Sequence, residues 1–288
     1  MTTVNDYNVK ELPQWCPGCG NFLSLSAIKN AFAELNLDPK NTVVVSGIGC
    51  GSKVPHYICT YGYEGIHGRL LPLASGIKLS NRKLTVVGMG GDGDGYGEGV
   101  QHFTHIARRN YDLTYIVHNN QIYGLTTGQM SPTTEKGQKT KTSPFGAIET
   151  QFNPLANAII NGATYVARGY SADLEHLKTL IKGAIQHKGF ALVDVFQPCV
   201  TFNKHNNYDW FKERVYKLEE SEHDSTNKEA ALEKCFEDIK TDYKKLPIGL
   251  LYKENRATYE DQLPQLKEKE LVDHSLEINM EKFYEEFE

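Results

Sequence analysis

The sequence has no stretch approaching the roughly 18 consecutive apolar residues that a membrane-spanning helix needs. Its start, MTTVNDYNVKELPQW, lacks the basic segment and apolar run of a secretory signal. There is no basic excess either. Lys and Arg number 31 against 36 Asp and Glu, and a net charge of −5 argues against a nucleic-acid-binding surface. The charge is also uneven: Lys253 to Glu288 carries eleven acidic and five basic residues, which leaves the first 252 residues close to neutral. These absences predict a cytoplasmic protein with neither a membrane nor a nucleic acid as partner. In a reducing cytosol, its six cysteines read as metal ligands or buried thiols rather than disulfides.

What is present suits a globular fold. Hydrophobic residues make up 40% and charged residues 23% of 288, enough to bury a substantial core in one large α/β domain or two small ones. Short β-branched runs at Thr42–Gly47, Leu84–Gly90, Leu113–Asn119, Ala163–Gly169 and Phe190–Phe196 read as strands. Helix-like segments lie between or beside them, at Phe22–Asn36, Tyr96–Arg109, Pro154–Asn161 and Leu174–Lys188. This alternation predicts a doubly wound, mostly parallel α/β sheet, which binds ligands at the carboxyl ends of its strands.

Two regions depart from the alternation. Thr126–Gln151, TTGQMSPTTEKGQKTKTSPFGAIETQ, is an unusually long aperiodic segment, of the kind that serves as a functional loop or lid. Beyond about His205 the chain turns polar, with a helix expected near Asn227–Tyr243 and isolated aromatics in an acidic tail. The expected division is an α/β domain over residues 1–204 and a helical, acidic extension over 205–288, read either as a solvated tail or as an arm that contacts a partner.

MGGDGDGYGEG, Met89 to Gly99, ends one expected strand. Glycines there let the backbone approach a phosphate closely, and a following helix presents free N–H groups. Aspartates in such a loop would repel a diphosphate unless a divalent cation lay between them, and Mg²⁺ bridges protein oxygens to phosphates in this way. The next strand ends in Asn119-Asn120, twenty-five residues after Gly91-Asp92-Gly93. That spacing matches the thiamine-diphosphate motif. A dinucleotide-binding loop, the main rival, would want an acidic residue at the end of the next strand, and none is there.

WCPGCG, Trp15 to Gly20, holds two cysteines whose turn suits a redox disulfide, half a zinc site or half an iron–sulfur site. Cys50 and Cys199 each follow an expected strand, at the edge where Asp92 and Asn120 gather. Four cysteines dispersed in this way favour a cluster held by the fold over a zinc knuckle. Cys59 and Cys235 read as buried structural thiols, and His102 and His105 as structural.

In combination, WCPGCG, GIGCGSK, YGYEGIHGR, GGDGDGYGEG, NNQIYGLTTGQMSPTT and QPCVTFN resemble the β subunit of the 2-oxoacid:ferredoxin oxidoreductases, over about Trp15 to Asn203. Length and tail look most like the two-subunit, 2-oxoglutarate branch. The resemblance implies a [4Fe–4S] cluster on Cys16, Cys19, Cys50 and Cys199, and Mg²⁺ on Asp92, Asn120 and the Ile122 carbonyl. It implies thiamine diphosphate lined by Gly91, Gly93, Asp94, Gly124, Leu125 and Thr126, with Ile48, Gly49, Cys50 and His67 beside it. Relatives usually carry Asp-Asn where this chain has Asn119-Asn120, and vary at Lys53 and Thr127, where substrate carboxylates should dock. His67, Lys53 and Thr127 are the candidate catalytic residues. The implied reaction is coenzyme A-dependent oxidative decarboxylation of a 2-oxoacid, reversible as reductive carboxylation. Its electrons pass through the cluster to ferredoxin. Pyruvate or a broad substrate range is the alternative to 2-oxoglutarate; a non-redox thiamine decarboxylase or an iron–sulfur carrier are further alternatives. The glutamate that activates the cofactor's pyrimidine would come from an α subunit, in an αβ or α2β2 assembly.

Overall fold

The computed structural model describes residues 1–275, 277 and 279–287, so three positions of the expected extension, Leu276, Ile278 and Glu288, lie outside the described residues. Eight strands form one sheet: β1 (Thr42–Ser46), β2 (Tyr61–Glu64), β3 (Thr85–Gly91), β4 (Thr114–Asn119), β5 (Tyr165–Tyr170), β6 (Ala191–Phe196), β7 (Val215–Lys217) and β8 (Leu246–Lys253). Their order is β2-β1-β3-β4-β6-β5-β8-β7, and every pairing is parallel except β5 with β8. All five strands expected from the sequence are present.

Alternate residues along the central strands feed two separate cores. Val43, Val45, Val86, Tyr115, Val117 and Leu192 face one side, where they meet α2 (Leu70–Ser80), α3 (Val100–Arg109) and α4 (Pro154–Ile160). Val44, Val87, Ile116 and Val193 face the other, against α1 (Asn21–Glu34) and α5 (Leu174–Gln186). The two-residue period of a strand therefore gives a sheet covered on both faces, and its strands read as continuous apolar runs.

After β1 the chain runs outward to β2 and then returns past β1 to β3, so the winding direction reverses between β1 and β3. In open α/β sheets a crevice opens at such a reversal, beyond the carboxyl ends of the strands. Ile48–Cys50 follow β1 there, and Asp92 follows β3. Instead of running straight into a helix, the glycine-rich loop makes one wide π-type turn, Gly93–Glu98, before α3 begins.

The region after residue 204 differs from the expected helical extension. Besides the helix α6 (Tyr208–Lys212) it supplies β7 and β8, which continue the same sheet. The single helix expected over Asn227–Tyr243 is split into α7 (Lys228–Cys235) and a short turn, Glu237–Lys240. Ala231 and Cys235 of α7 join the core beneath α3 and α4. Among the described residues no helix is long and apolar enough to cross a membrane.

Candidate active site

Two cavities open at the reversal point. Ile48, Gly49, Cys50, His67, Gly91, Asp92, Gly93, Asp94, Asn120, Ile122, Gly124, Leu125 and Thr126 all line the first, of about 70 Å³. These are the residues that the resemblance sets around a diphosphate. Cys16, Cys19, Cys50 and Cys199 line the second, of about 190 Å³, together with Lys53, Asn120, Gly124, Leu125 and Thr127. Cys50, Asn120, Gly124 and Leu125 thus form a wall common to both. On that wall Gly124 stands against two of the cysteines: a Cβ there would lie 3.5 Å from Cys199 Sγ and 3.8 Å from Cys50 Sγ.

Asp92 is buried at the end of β3. Its Oδ2 accepts from the Ser131 and Thr133 hydroxyls, both at 2.6 Å. Burial pushes its carboxyl up to about 6, against the lowering by those two hydroxyls. A second carboxylate, Asp194, adds to that rise, and among the described residues no cationic side chain stands at ion-pair distance from Asp92. A buried carboxylate without a countercharge fits a cation. Asn120 Oδ1 accepts from the Ile122 N–H at 3.1 Å, which closes the turn after β4 at the cavity that Asp92 also lines. Carboxylate, amide and carbonyl oxygens are the hard donors that Mg²⁺ prefers.

Asp94 serves the backbone instead. Its Oδ1 accepts from the Ile48 and Gly68 N–H groups at 3.0 and 2.8 Å, tying together the loops after β1 and β2. Burial raises its pKa, and those amides oppose the shift. His67 Nδ1 sits 3.1 Å from Asp94 and 3.3 Å from Glu98, at ion-pair distance. Gly93 admits no side chain, since a Cβ would lie 2.2 Å from the Tyr123 ring.

The cysteine turn is anchored from several directions. Cys19 N–H donates to Cys16 O at 3.0 Å, and Gly18 holds the turn at φ +80°, a conformation that costs glycine little. Trp15 Nε1 donates to the Cys50 carbonyl at 2.7 Å, and Gly20 N–H to Pro198 O at 3.2 Å. Each bond brings the turn to the neighbourhood of another cysteine. Burial pushes the Cys19 thiol up to about 11, with added repulsion from Cys199, Cys50 and Cys16, and burial also raises Cys50, against the Lys53 charge. Among the described residues no three His, Cys, Asp or Glu side chains are spaced to hold a single metal ion. A cluster differs from an ion in size: it spreads four thiolates around its corners, and four cysteines around one mainly apolar cavity fit it.

Two expectations about cysteines part company in the structure. Cys235 is buried, but Cys59 is exposed, because the chain turns outward after the buried Ile58, with Cys59 N–H bonded to Tyr7 O. Cys16 is also exposed at the rim of its cavity.

The long loop after β4 carries residues that the sequence reading gave no role. It forms no helix or strand, yet Ser131, Thr133, Thr134 and Glu135 are buried, while Phe145 and Ile148 are exposed. Thr133 Oγ1 also lies 2.9 Å from Asn119 Oδ1. Asn119 points away from both cavities, donating from Nδ2 to Asp194 at 3.1 Å. Asp194 also accepts from Tyr96 OH at 2.9 Å and Arg168 Nε at 3.1 Å. The signal was available: Arg168 and Asp194 are single charges inside otherwise apolar strands. Thr127 holds φ +76°, which a β-branched residue adopts only under strain, and its hydroxyl accepts from Lys141 Nζ at 2.9 Å.

Residues 44–195 match the family model described as thiamine pyrophosphate enzyme, C-terminal TPP binding domain. Residues 199–268 match the model for the C-terminal part of the pyruvate ferredoxin oxidoreductase beta subunit. The β subunit of 2-oxoacid:ferredoxin oxidoreductase 1 from Aeropyrum pernix is 47% identical over 273 residues, 91% of this chain and 85% of that protein. This chain belongs to the 2-oxoacid:ferredoxin oxidoreductase β subunits. Its counterpart from Saccharolobus solfataricus is 55% identical over 212 residues, 73% of this chain and 70% of that one. The solved 2-oxoglutarate:ferredoxin oxidoreductase from Magnetococcus marinus, with 2-oxoglutarate, coenzyme A and succinyl-CoA bound, superposes with a TM-score of 0.91 at 36% identity. It covers 100% of this chain and 96% of that one. The enzyme is an oxidoreductase of this family, and its α/β domain is a thiamine-diphosphate-binding domain.

Proposed function

We propose that this protein holds thiamine diphosphate, Mg²⁺ and a [4Fe–4S] cluster in its two adjoining cavities, and with an α subunit oxidises 2-oxoglutarate to succinyl-CoA. The wall shared by the cavities, Cys50, Asn120, Gly124 and Leu125, carries this reading, because it joins the cavity lined by the four cysteines to the one lined by Asp92. When bound, thiamine diphosphate supplies the electron sink for loss of CO₂, and the cluster supplies a one-electron exit toward ferredoxin.

The chain's own residues divide the work. Asp92, Asn120 and the Ile122 carbonyl hold the cation, and Gly91, Gly93, Asp94, Gly124, Leu125 and Thr126 cradle the diphosphate. Asp94 fixes the Ile48–Gly49 turn through its amide bonds, and His67 is held against Asp94 at the same rim. Cys16, Cys19, Cys50 and Cys199 ligate the cluster, kept reduced for that role in the cytoplasm. Lys53 and Thr127 belong to the cysteine cavity and are the candidates to meet a substrate carboxylate.

The α subunit supplies the glutamate that activates the pyrimidine, so the assembly is αβ or α2β2. Residues 1–204 bear the cofactors; in the extension, the exposed Phe283, Tyr284 and Phe287 offer a surface to a partner. The lean toward 2-oxoglutarate is supported by the substrate bound in the Magnetococcus marinus relative.

The test is an anaerobic assay of the co-expressed complex with a panel of 2-oxoacids, coenzyme A, and ferredoxin or a viologen dye. Iron and thiamine are measured on the same sample. Both cofactors, with 2-oxoglutarate preferred, support the reading. Pyruvate clearly ahead overturns the substrate, thiamine in colourless protein overturns the cluster, and turnover by the β chain alone overturns the need for a partner.

A further inference from the structure

We propose that Thr133 is the positioning residue that orients the Asp92 carboxylate for a divalent cation, and that Gln151 and Tyr243 steady Thr133 from behind. This rests on the cation reading of Asp92 given above.

The Thr133 hydroxyl has one proton, and its two nearest acceptors are Asp92 Oδ2 at 2.6 Å and Asn119 Oδ1 at 2.9 Å. The Asn119 amide cannot turn away. Its Nδ2 donates to Asp194, which is itself fixed by Arg168 and Tyr96. Thr133 is thus held between a rigid buried network and the candidate ligand. Ser131 reaches the same Oδ2 at 2.6 Å, which leaves Oδ1 as the oxygen available to a cation.

The segment also spans the second ligand-bearing turn. Ser131 N–H donates to Thr134 Oγ1 at 2.9 Å, and Thr134 Oγ1 donates to the Gln121 carbonyl at 2.7 Å, one residue before Ile122. Asp92 and Ile122 follow different strands, and residues 131–134 bolt the two turns together. The spacing between their oxygens therefore depends on this segment.

The support behind Thr133 comes from the C-terminal region. Gln151 Nε2 donates to the Thr133 carbonyl at 2.5 Å, and Tyr243 OH donates to Gln151 Oε1 at 2.5 Å. Asp242 and Tyr243 hold φ +54° and +56°, two successive left-handed non-glycine residues. Such strain persists only where the surroundings over-determine it, and here it delivers the phenol to Gln151.

The experiment titrates Mn²⁺ into the thiamine-diphosphate-supplemented, metal-free complex of both subunits, with free Mn²⁺ read by electron paramagnetic resonance. Losing a group that orients a ligand weakens metal binding by about 10–100-fold, the loss expected for Thr133→Val. Thr133→Ser, which keeps the hydroxyl, should bind as the wild type does, and Tyr243→Phe should weaken binding in the same direction by less. Thermal melts of all variants confirm that they fold. A folded Thr133→Val with wild-type Mn²⁺ affinity overturns the proposal, and so does a Thr133→Ser as weak as Thr133→Val. If the wild-type complex binds no Mn²⁺ with thiamine diphosphate, the cation reading itself falls, and this inference with it.

Discussion

Arg168 on β5 donates from Nε to Asp194 Oδ2 on β6 at 3.1 Å, with both side chains almost wholly shielded from water. Burial raises the Asp194 pKa, and the Arg168 guanidinium is the first influence opposing that shift. Arg168 also reaches Asp238 at 3.3 Å, so one guanidinium links the parallel core to the C-terminal region.

Removing one partner of a buried pair leaves an uncompensated charge and costs about 3–5 kcal/mol. Arg168→Met, which leaves the wholly buried Asp194 without its cation, should therefore lower the unfolding free energy by that order in denaturant titrations. The double variant Arg168→Met, Asp194→Leu should recover part of the loss, because it removes the stranded charge as well. Equal instability of the single and double variants would show that the pair is not the cause.

The two cavities make separable claims, and two variants separate them. Cys16→Ala removes a thiol at the exposed rim of the cysteine cavity and should lower iron content while bound thiamine stays near wild type. Asp92→Asn should do the reverse, losing divalent cation and thiamine while iron is kept. Iron and thiamine measured together on anaerobic preparations decide it. Unchanged iron in Cys16→Ala would refute the cluster assignment of that turn.

The central strands were legible because five β-branched runs lie between helical segments, and burial on both faces makes such runs continuous. The edges were not. Tyr61–Glu64 is exposed along its whole length and has no apolar pattern. Leu246–Lys253 carries Pro247 and Gly249, which read as turn formers, and its pairing is interrupted by a bulge opposite Val166 and Ala167. The helix Leu70–Ser80 has both Pro72 and Gly76 and shows only a weak polar face. At the site, cysteines, aspartates and glycines announce themselves by type. Ser131 and Thr133 do not, because hydroxyl residues are common in loops. Only the fold brings them onto an acid 39 and 41 positions earlier.

A pH-dependent stability term is built into the helix α5 terminus. Thr164 Oγ1 donates to Asn110 Oδ1 at 2.7 Å, so its lone pairs face His187 Nε2, also 2.7 Å away, and that nitrogen carries the proton of a neutral ring. Burial pushes the His187 pKa down from 6.5 to about 4. Between those values the unfolded chain binds a proton that the folded chain refuses. Stability therefore falls as pH drops from about 6.5 toward 4, with a limiting slope of about 1.4 kcal/mol per pH unit. His187→Gln keeps a donor for Thr164 but cannot titrate, so its acid limb should be shallower than that of the wild type, with the two curves closest near pH 8. Urea unfolding across pH 4–8 measures both. If the two acid limbs run parallel, His187 is not the group responsible.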